Sequence, residues 1–173
     1  MKTKVAWMLV VLLMFSVLVQ TISLADSVAY SDVVAHQIAS RNPDVTRDEL
    51  VEQYGTPYSE TETSIGYWDR EQATYLQYFF VDGRLSYIYI TYGKYAAEYW
   101  DRTYTMFDTT RKKISEILGE DWGTMYHYND TGNAVQDLNS ALGAWSGEGI
   151  GVLLVYSRSD DDLTVKAKLT FIP

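Results

Sequence analysis

The sequence predicts an α+β domain: one antiparallel sheet with helices on one face, assembled from two tandem helix–helix–β-hairpin repeats at about 28–92 and 93–173. Three observations predict it. Thr46-Arg47-Asp48-Glu49-Leu50-Val51-Glu52-Gln53-Tyr54-Gly55 aligns without a gap to Thr110-Arg111-Lys112-Lys113-Ile114-Ser115-Glu116-Ile117-Leu118-Gly119. Further along, Trp68-Asp69-Arg70-Glu71 answers Trp145-Ser146-Gly147-Glu148, with the extra residues of the second copy falling in the polar stretch 124–140. Each Trp motif then runs into a hairpin pattern. Two matched blocks in the same order, each followed by the same element, mark a duplicated unit. Hairpins with helices gathered against them define the α+β class.

The chain opens on the basic Met1-Lys2-Thr3-Lys4. An uncharged run follows from Val5 to Val19, and then the small-x-small triplet Ser23-Leu24-Ala25. This is the order of a cleavable secretory signal. The apolar run is shorter than the roughly 20 residues that a membrane-spanning helix needs. Residues 1–25 therefore read as a signal, and 26–173 as a single mature domain that is not inserted stably in a membrane. Such a protein is exported, to the periplasm or the extracellular space.

Within the first repeat, Val28 to Ala39 places Val33, Val34 and Ile38 on one side of a helix. The short helix after it begins at Thr46, whose side chain and that of Glu49 can form a capping box, with Val45 stapled onto Leu50. It ends at Gly55, a residue that enters the left-handed turn at little cost. Thr74–Val81 and Arg84–Tyr92 flank Asp82-Gly83, a strong tight-hairpin signal. In the second repeat, Tyr95, Tyr99, Trp100, Tyr104 and Phe107 form a helical stripe. A separate short helix over 110–118 is expected after it, with a weaker start because Lys113 stands where the capping Glu would be. The last hairpin pairs Gly151–Ser157 with Leu163–Phe171 around the acidic loop 158–162.

Leu163, Val165, Ala167, Leu169 and Phe171 alternate with Thr164, Lys166, Lys168 and Thr170, a strand buried on one face. Carried across the repeat, the pattern puts Leu85, Tyr87 and Tyr89 against the helices, beside Phe80, Tyr78 and Leu76 respectively. The opposite face then holds Tyr75, Gln77, Phe79, Val81, Ser86, Ile88 and Ile90. Tyr156, Lys166 and Lys168 would extend it in the second copy. That face is more apolar than solvent requires, and exposed apolar patches mark contact surfaces. Tyr75, Phe79, Ile88, Ile90, Tyr156, Lys166 and Lys168 are accordingly the candidate binding residues. The alternatives are that the face packs against the other half, or that the register slips by one residue.

The chain of 173 residues has 23 acidic against 14 basic residues, a formal charge of −9. Lys2 and Lys4 lie in the signal, so the mature domain is more acidic still. Nucleic acid is excluded as a partner by that balance, and anionic membrane surfaces are disfavoured. With no Cys, thiol catalysis, Cys-ligated metals and disulfides drop out, so stability must come from an ordinary core. His36 reads as a solvated helix residue, and His127, in Tyr126-His127-Tyr128, as loop packing. No catalytic residue, metal site or cofactor is assigned. Asp160-Asp161-Asp162 and Asn129–Asn133 lack the spaced acidic pattern of a calcium loop. Glu71 and Glu148 could face one another as a hydrolase pair, but symmetric solubility explains them more simply.

The string Tyr30–Pro57, with its Thr-Arg-Asp-Glu-Leu-Val-x-x-Tyr-Gly-Thr-Pro core, resembles the helix–loop–helix opening of SmpA/OmlA-type outer-membrane assembly lipoproteins. The tandem organisation resembles the beta-lactamase inhibitory protein family, two such repeats forming one curved sheet. The resemblance implies a non-enzymatic, protein-binding, inhibitory or envelope-assembly module that presents its sheet to another exported or envelope protein. Two departures stand out: Asp26 occupies the place of the lipoproteins' lipidated Cys, and the inhibitors' disulfides cannot form here. A carbohydrate- or small-ligand-binding protein would use the same 15 Tyr and 5 Trp, and an acidic-cleft hydrolase is a third reading. If the signal reading holds, Edman sequencing and intact mass of the exported product give a chain that starts at Asp26. A membrane-bound product retaining Met1 overturns it.

Overall fold

The computed structural model describes residues 29–69, 73–92, 100–128, 138–158 and 163–172. The signal, Glu71, Tyr95, Tyr99 and the acidic stretches 129–137 and 159–162 lie outside the described residues. Among the described residues, three helices and eight strands make an α+β fold. Helix α1 covers residues 29–39, α2 Arg47–Tyr54 and α3 Trp100–Leu118. The strands are β1 Ser59–Glu60, β2 Ser64–Asp69, β3 Thr74–Val81, β4 Arg84–Tyr92, β5 Met125–Tyr128, β6 Leu138–Gly147, β7 Ile150–Arg158 and β8 Leu163–Phe171. They form one sheet in the order β1-β2-β3-β4-β8-β7-β6-β5, every pair antiparallel. Among the described residues no helix is long and apolar enough to cross a membrane.

Local chemistry sets the element ends. Thr46 caps α2, its side chain accepting from the Glu49 N–H while the Glu49 carboxylate accepts from the Thr46 N–H at 2.8 Å. The Thr46 N–H and the Thr46 hydroxyl, both donating to it, hold the Glu49 carboxyl below its ordinary range. Gly55, at φ +79°, closes α2 by donating to the Val51 carbonyl. Asp82 (φ +51°) and Gly83 (φ +79°) make the tight β3–β4 turn, both in the left-handed region that a type I′ hairpin demands. The second copy differs: α3 runs through to Leu118 as one helix of 19 residues instead of a long and a separate short helix. The reason is local. The first copy has the breaker Ser40-Arg41-Asn42-Pro43 between its helices, whereas Asp108-Thr109-Thr110 contains neither Gly nor Pro. Burial of Thr103, Met106, Phe107, Thr110 and Ile114 then follows one uninterrupted helical stripe.

All three helices contribute to one core on the same side of the sheet. Val34 and Ile38 of α1 and Leu50 of α2 join Ile65, Leu76, Tyr78 and Phe80. From α3, Phe107 and Tyr104 meet the edge of Tyr156 on β7 at ring-centroid distances of 6.3 and 6.2 Å. Tyr30, fully buried on α1, donates its hydroxyl to the Ile90 carbonyl at 2.9 Å. Ile90 lies opposite Ala167, so this hydroxyl reaches the seam between β4 and β8. Burial drives the Tyr30 phenol well above its usual range, only partly opposed by the Ala167 backbone.

Strand β4 corrects the facing expected from sequence. Phe79 opposes Tyr87, but the next residue, Phe80, opposes Leu85. Ser86 is the extra residue of a β-bulge, and beyond it the alternation changes face. Leu85 points at the helices as expected; thereafter Ile88 (2 % exposed), Ile90 (0 %) and Tyr92 do so, not Tyr87 and Tyr89. Tyr78 therefore lies beside Ile88 and Leu76 beside Ile90. The energetics favour this arrangement. Burying an isoleucine gains roughly 1.5–3 kcal/mol, twice over, whereas one disrupted ladder bond costs about 1 kcal/mol. Burying two more phenols would also leave two hydroxyls in need of partners.

Trp68 and Trp145 also separate. Trp145 is buried in the core, its indole N–H donating to Ser115 Oγ at 3.1 Å, whereas Trp68 is 39 % exposed on the opposite face. The sequence match between them is thus no structural equivalence, and superposing the halves cannot bring one onto the other. The facing makes a stability contrast: Ile90→Ala is expected to lower the unfolding free energy by roughly 2–5 kcal/mol. Tyr89→Ala should lower it by less, as read by urea denaturation. The reverse order would restore an unbulged β4.

Candidate functional site

The face of the sheet away from the helices carries the candidate site. Cross-strand partners share a face, so the pairings Trp68–Tyr75, Phe79–Tyr87, Tyr89–Lys168 and Thr91–Lys166 place these side chains together there. Of the residues singled out from sequence, Tyr75, Phe79, Lys166 and Lys168 occupy this face. Ile88 and Ile90 do not, for the bulge turns them inward. Neither does Tyr156, which is 1 % exposed beneath α3. Tyr156 opposes Val165, a core residue, so it had to be inward too.

The residues missed from sequence are Tyr87, Tyr89, Trp68 and Tyr58. With Phe79 the first two form a compact cluster. Phe79 stacks on Tyr87 at 4.5 Å and 16°, and Tyr89 meets both edge-on at 5.6 and 5.5 Å. Lys168 Nζ rests over the Tyr87 ring at 4.6 Å and near Tyr89 at 5.6 Å; Lys166 Nζ lies 5.8 Å from the Tyr89 centroid. These are cation–π distances. The signal that could have found the pair is their rank in hydrophobicity: a strand offering Ile88 and Ile90 against Tyr87 and Tyr89 buries the isoleucines first.

Toward the β1 edge the aromatic surface continues. Tyr75 meets Trp68 and Tyr58, each at 6.4 Å between centroids. Gly66 makes this possible: a Cβ there would collide with the Tyr75 hydroxyl, which shares a 2.5 Å hydrogen bond with Ser59 Oγ. Around the edge, a cleft of about 390 Å³ is lined by Tyr54, Thr56, Tyr58, Tyr67, Trp68, Asp69, Leu76 and Tyr78. The rings of Tyr54, Tyr67 and Tyr78 pack on one another at 5.2–6.2 Å. The buried Tyr67 hydroxyl has no hydrogen-bond partner among the described residues. Burial, with Glu60 and Tyr54 adding to it, raises the Tyr67 phenol above its usual range.

The other sequence candidates stand apart from this surface. His36 is exposed on α1 and borders a second cleft of about 300 Å³ with Gln37, Gln53 and Tyr78. His127 belongs to strand β5 and not to a loop, opposite Ser140. Glu148 is exposed in the β6–β7 turn. Among the described residues, no three His, Asp or Glu gather in a metal-holding group.

No family model matches the chain, and no curated protein matches it. Among solved structures, the chain is similar to a DUF4309 family protein, YjgB, from Bacillus subtilis, with a TM-score of 0.42 and 13 % identity. That match covers 73 % of this chain and 78 % of the other.

The two buried phenols make opposite predictions. Tyr30→Phe removes a buried hydroxyl that donates to the Ile90 carbonyl, so unfolding free energy should fall by about 1 kcal/mol. Tyr67→Phe removes an unpartnered hydroxyl and should leave stability unchanged or slightly raised. Denaturant titration of both variants checks this, and a loss at Tyr67 as large as at Tyr30 would show a partner for its hydroxyl.

Proposed function

We propose that this chain is an exported, non-enzymatic protein-binding module, built from two related halves, that captures another exported or envelope protein on its helix-free sheet face. The observation that carries this reading is the Phe79–Tyr87–Tyr89 cluster on that face, flanked by Lys166 and Lys168. Rigid aromatic side chains grouped on an accessible surface are the anchors of protein interfaces. Support for two related halves comes from the strand order, in which β1-β2-β3-β4 is mirrored by β8-β7-β6-β5 across the β4–β8 seam. The inhibitory or envelope-assembly role implied by the sequence resemblance belongs to the same proposal.

A second reading, a small-ligand or carbohydrate-binding protein, draws on the aromatic cleft beside Tyr67. Such sites combine apolar walls with a few oriented polar groups, and Thr56 and Asp69 line this cleft beside its aromatic rings. The sheet face itself suits protein better than sugar, because Phe79 and Tyr87 spend their ring faces on each other.

Phe79→Asp is the decisive variant. It should keep the cooperative unfolding of the parent, at a cost of about 0.5–1.5 kcal/mol for the lost ring contacts. It should also abolish recovery of a mass-spectrometrically identified partner from the native exported fraction. Phe80→Ala, on the core side, should cost about 3–5 kcal/mol while the protein that remains folded still captures the partner. Undiminished capture by Phe79→Asp sinks the proposal, and Trp68-dependent binding of a soluble glycan would put the second reading in its place.

A further inference from the structure

Among the described residues, the face away from the helices differs from the rest of the molecule in charge. The chain carries 23 carboxylates and a net charge of −9. Yet every described strand position on that face, from Ser59 on β1 to Met125 and His127 on β5, is neutral or basic. Among the described residues, the acidic strand residues are on the other side: Glu60 lies opposite core Ile65 and Asp69 opposite buried Thr74. Lys166 and Lys168 stand at alternate positions of β8, and neither pairs with a carboxylate among the described residues. Their ammonium groups lie against the rings of Tyr87 and Tyr89, which hold them beside the apolar cluster.

We propose that the partner captured here presents an acidic protein segment, its carboxylates seated on Lys166 and Lys168 and its apolar side chains on Phe79, Tyr87 and Tyr89. This rests on the protein-binding reading above and names the chemistry of that partner. Complementary potentials select partners and steer their approach. An acidic chain with one face whose described strand positions are neutral or basic attracts acidic segments to that face and repels them elsewhere. The two lysines are about 7 Å apart along β8, at roughly 3.3–3.4 Å per residue. Carboxylates at alternate positions of an extended segment match that spacing. A dense polyanion fits poorly, because two lysines neutralise two charges while the rest of the chain repels the remainder. Anionic bilayers are drawn by clusters of four to eight basic residues, more than this face holds.

The test uses the full exported chain and a random copolymer of glutamate and tyrosine as probe, followed by calorimetric titration and by side-chain NMR of the lysines. The copolymer should bind with shifts at Lys166 and Lys168. Affinity should fall about tenfold or more between 50 and 500 mM salt. The double variant Lys166→Glu/Lys168→Glu, checked for an unchanged melting temperature, should lose binding, and Lys166→Arg/Lys168→Arg should keep it. Absence of copolymer binding overturns the inference. So does equal binding by the charge-reversed variant, or tighter binding of a lysine–tyrosine copolymer, dextran sulfate or phosphatidylglycerol vesicles. The native partner separates the two levels. Capture that needs Phe79 but ignores salt and lysine reversal removes the inference alone, and capture indifferent to Phe79 removes the protein-binding reading beneath it.

Discussion

A single extra residue in β4 governs this structure. Because side chains alternate with period two, one unpaired residue exchanges everything beyond it between the two faces of a sheet. Ser86 is that residue. It sends Ile88, Ile90 and Tyr92 into the core, where Ile90 receives the Tyr30 hydroxyl at the seam with β8. The same exchange puts Tyr87 and Tyr89 on the open face. Core and candidate site are thus two consequences of one local irregularity. Bulges commonly re-aim side chains in this way next to functional surfaces.

The seam itself is central to the architecture. β4 and β8 lie side by side in the middle of an eight-stranded sheet, and their pairing joins everything N-terminal to everything C-terminal. On the core side it is made of apolar contacts such as Ile90 with Ala167 and Ile88 with Leu169. On the open side the same two strands pair Tyr89 with Lys168 and Thr91 with Lys166. The candidate binding surface therefore sits at the middle of the sheet, where the rings of Phe79, Tyr87 and Tyr89 pack on one another. An interface built there loses little side-chain freedom on association, which is the condition under which aromatic anchors contribute most.

Much of the fold was legible because its signals are local. The capping box of Thr46 and Glu49, the glycine stop at Gly55, the Asp82-Gly83 turn and the limits of β3, β4 and β8 depend on residues a few positions apart. The burial of Leu163, Val165, Ala167, Leu169 and Phe171 was equally plain from alternation. Where local rules met a longer-range decision they failed. The fusion of the second repeat's helices into α3 follows from the missing breaker at 108–110, a local signal outweighed in the sequence reading by analogy with the first repeat. The opposite orientation of Trp68 and Trp145 has the same lesson: identical residues in matched motifs do not guarantee matched faces. Of the seven candidate site residues, four stand on the open face, and the three that do not were all assigned by carrying alternation across a bulge or a repeat.

The sequence alone determined the class of fold, the hairpins and their turns, the amphipathic faces of α1 and α2, and the acidic, cysteine-free character that leaves stability to packing. Each of these is written in spacing and composition, which the chain carries before it folds. Tertiary structure alone decided the bulge at Ser86, and with it which aromatics meet and where the lysines of β8 come to rest. The physical reason is that a bulge is a compromise between strands. Its cost of about one ladder hydrogen bond is local to β4, but the isoleucine burial that outweighs it exists only once β8 has paired beside β4 and α1 has packed over them.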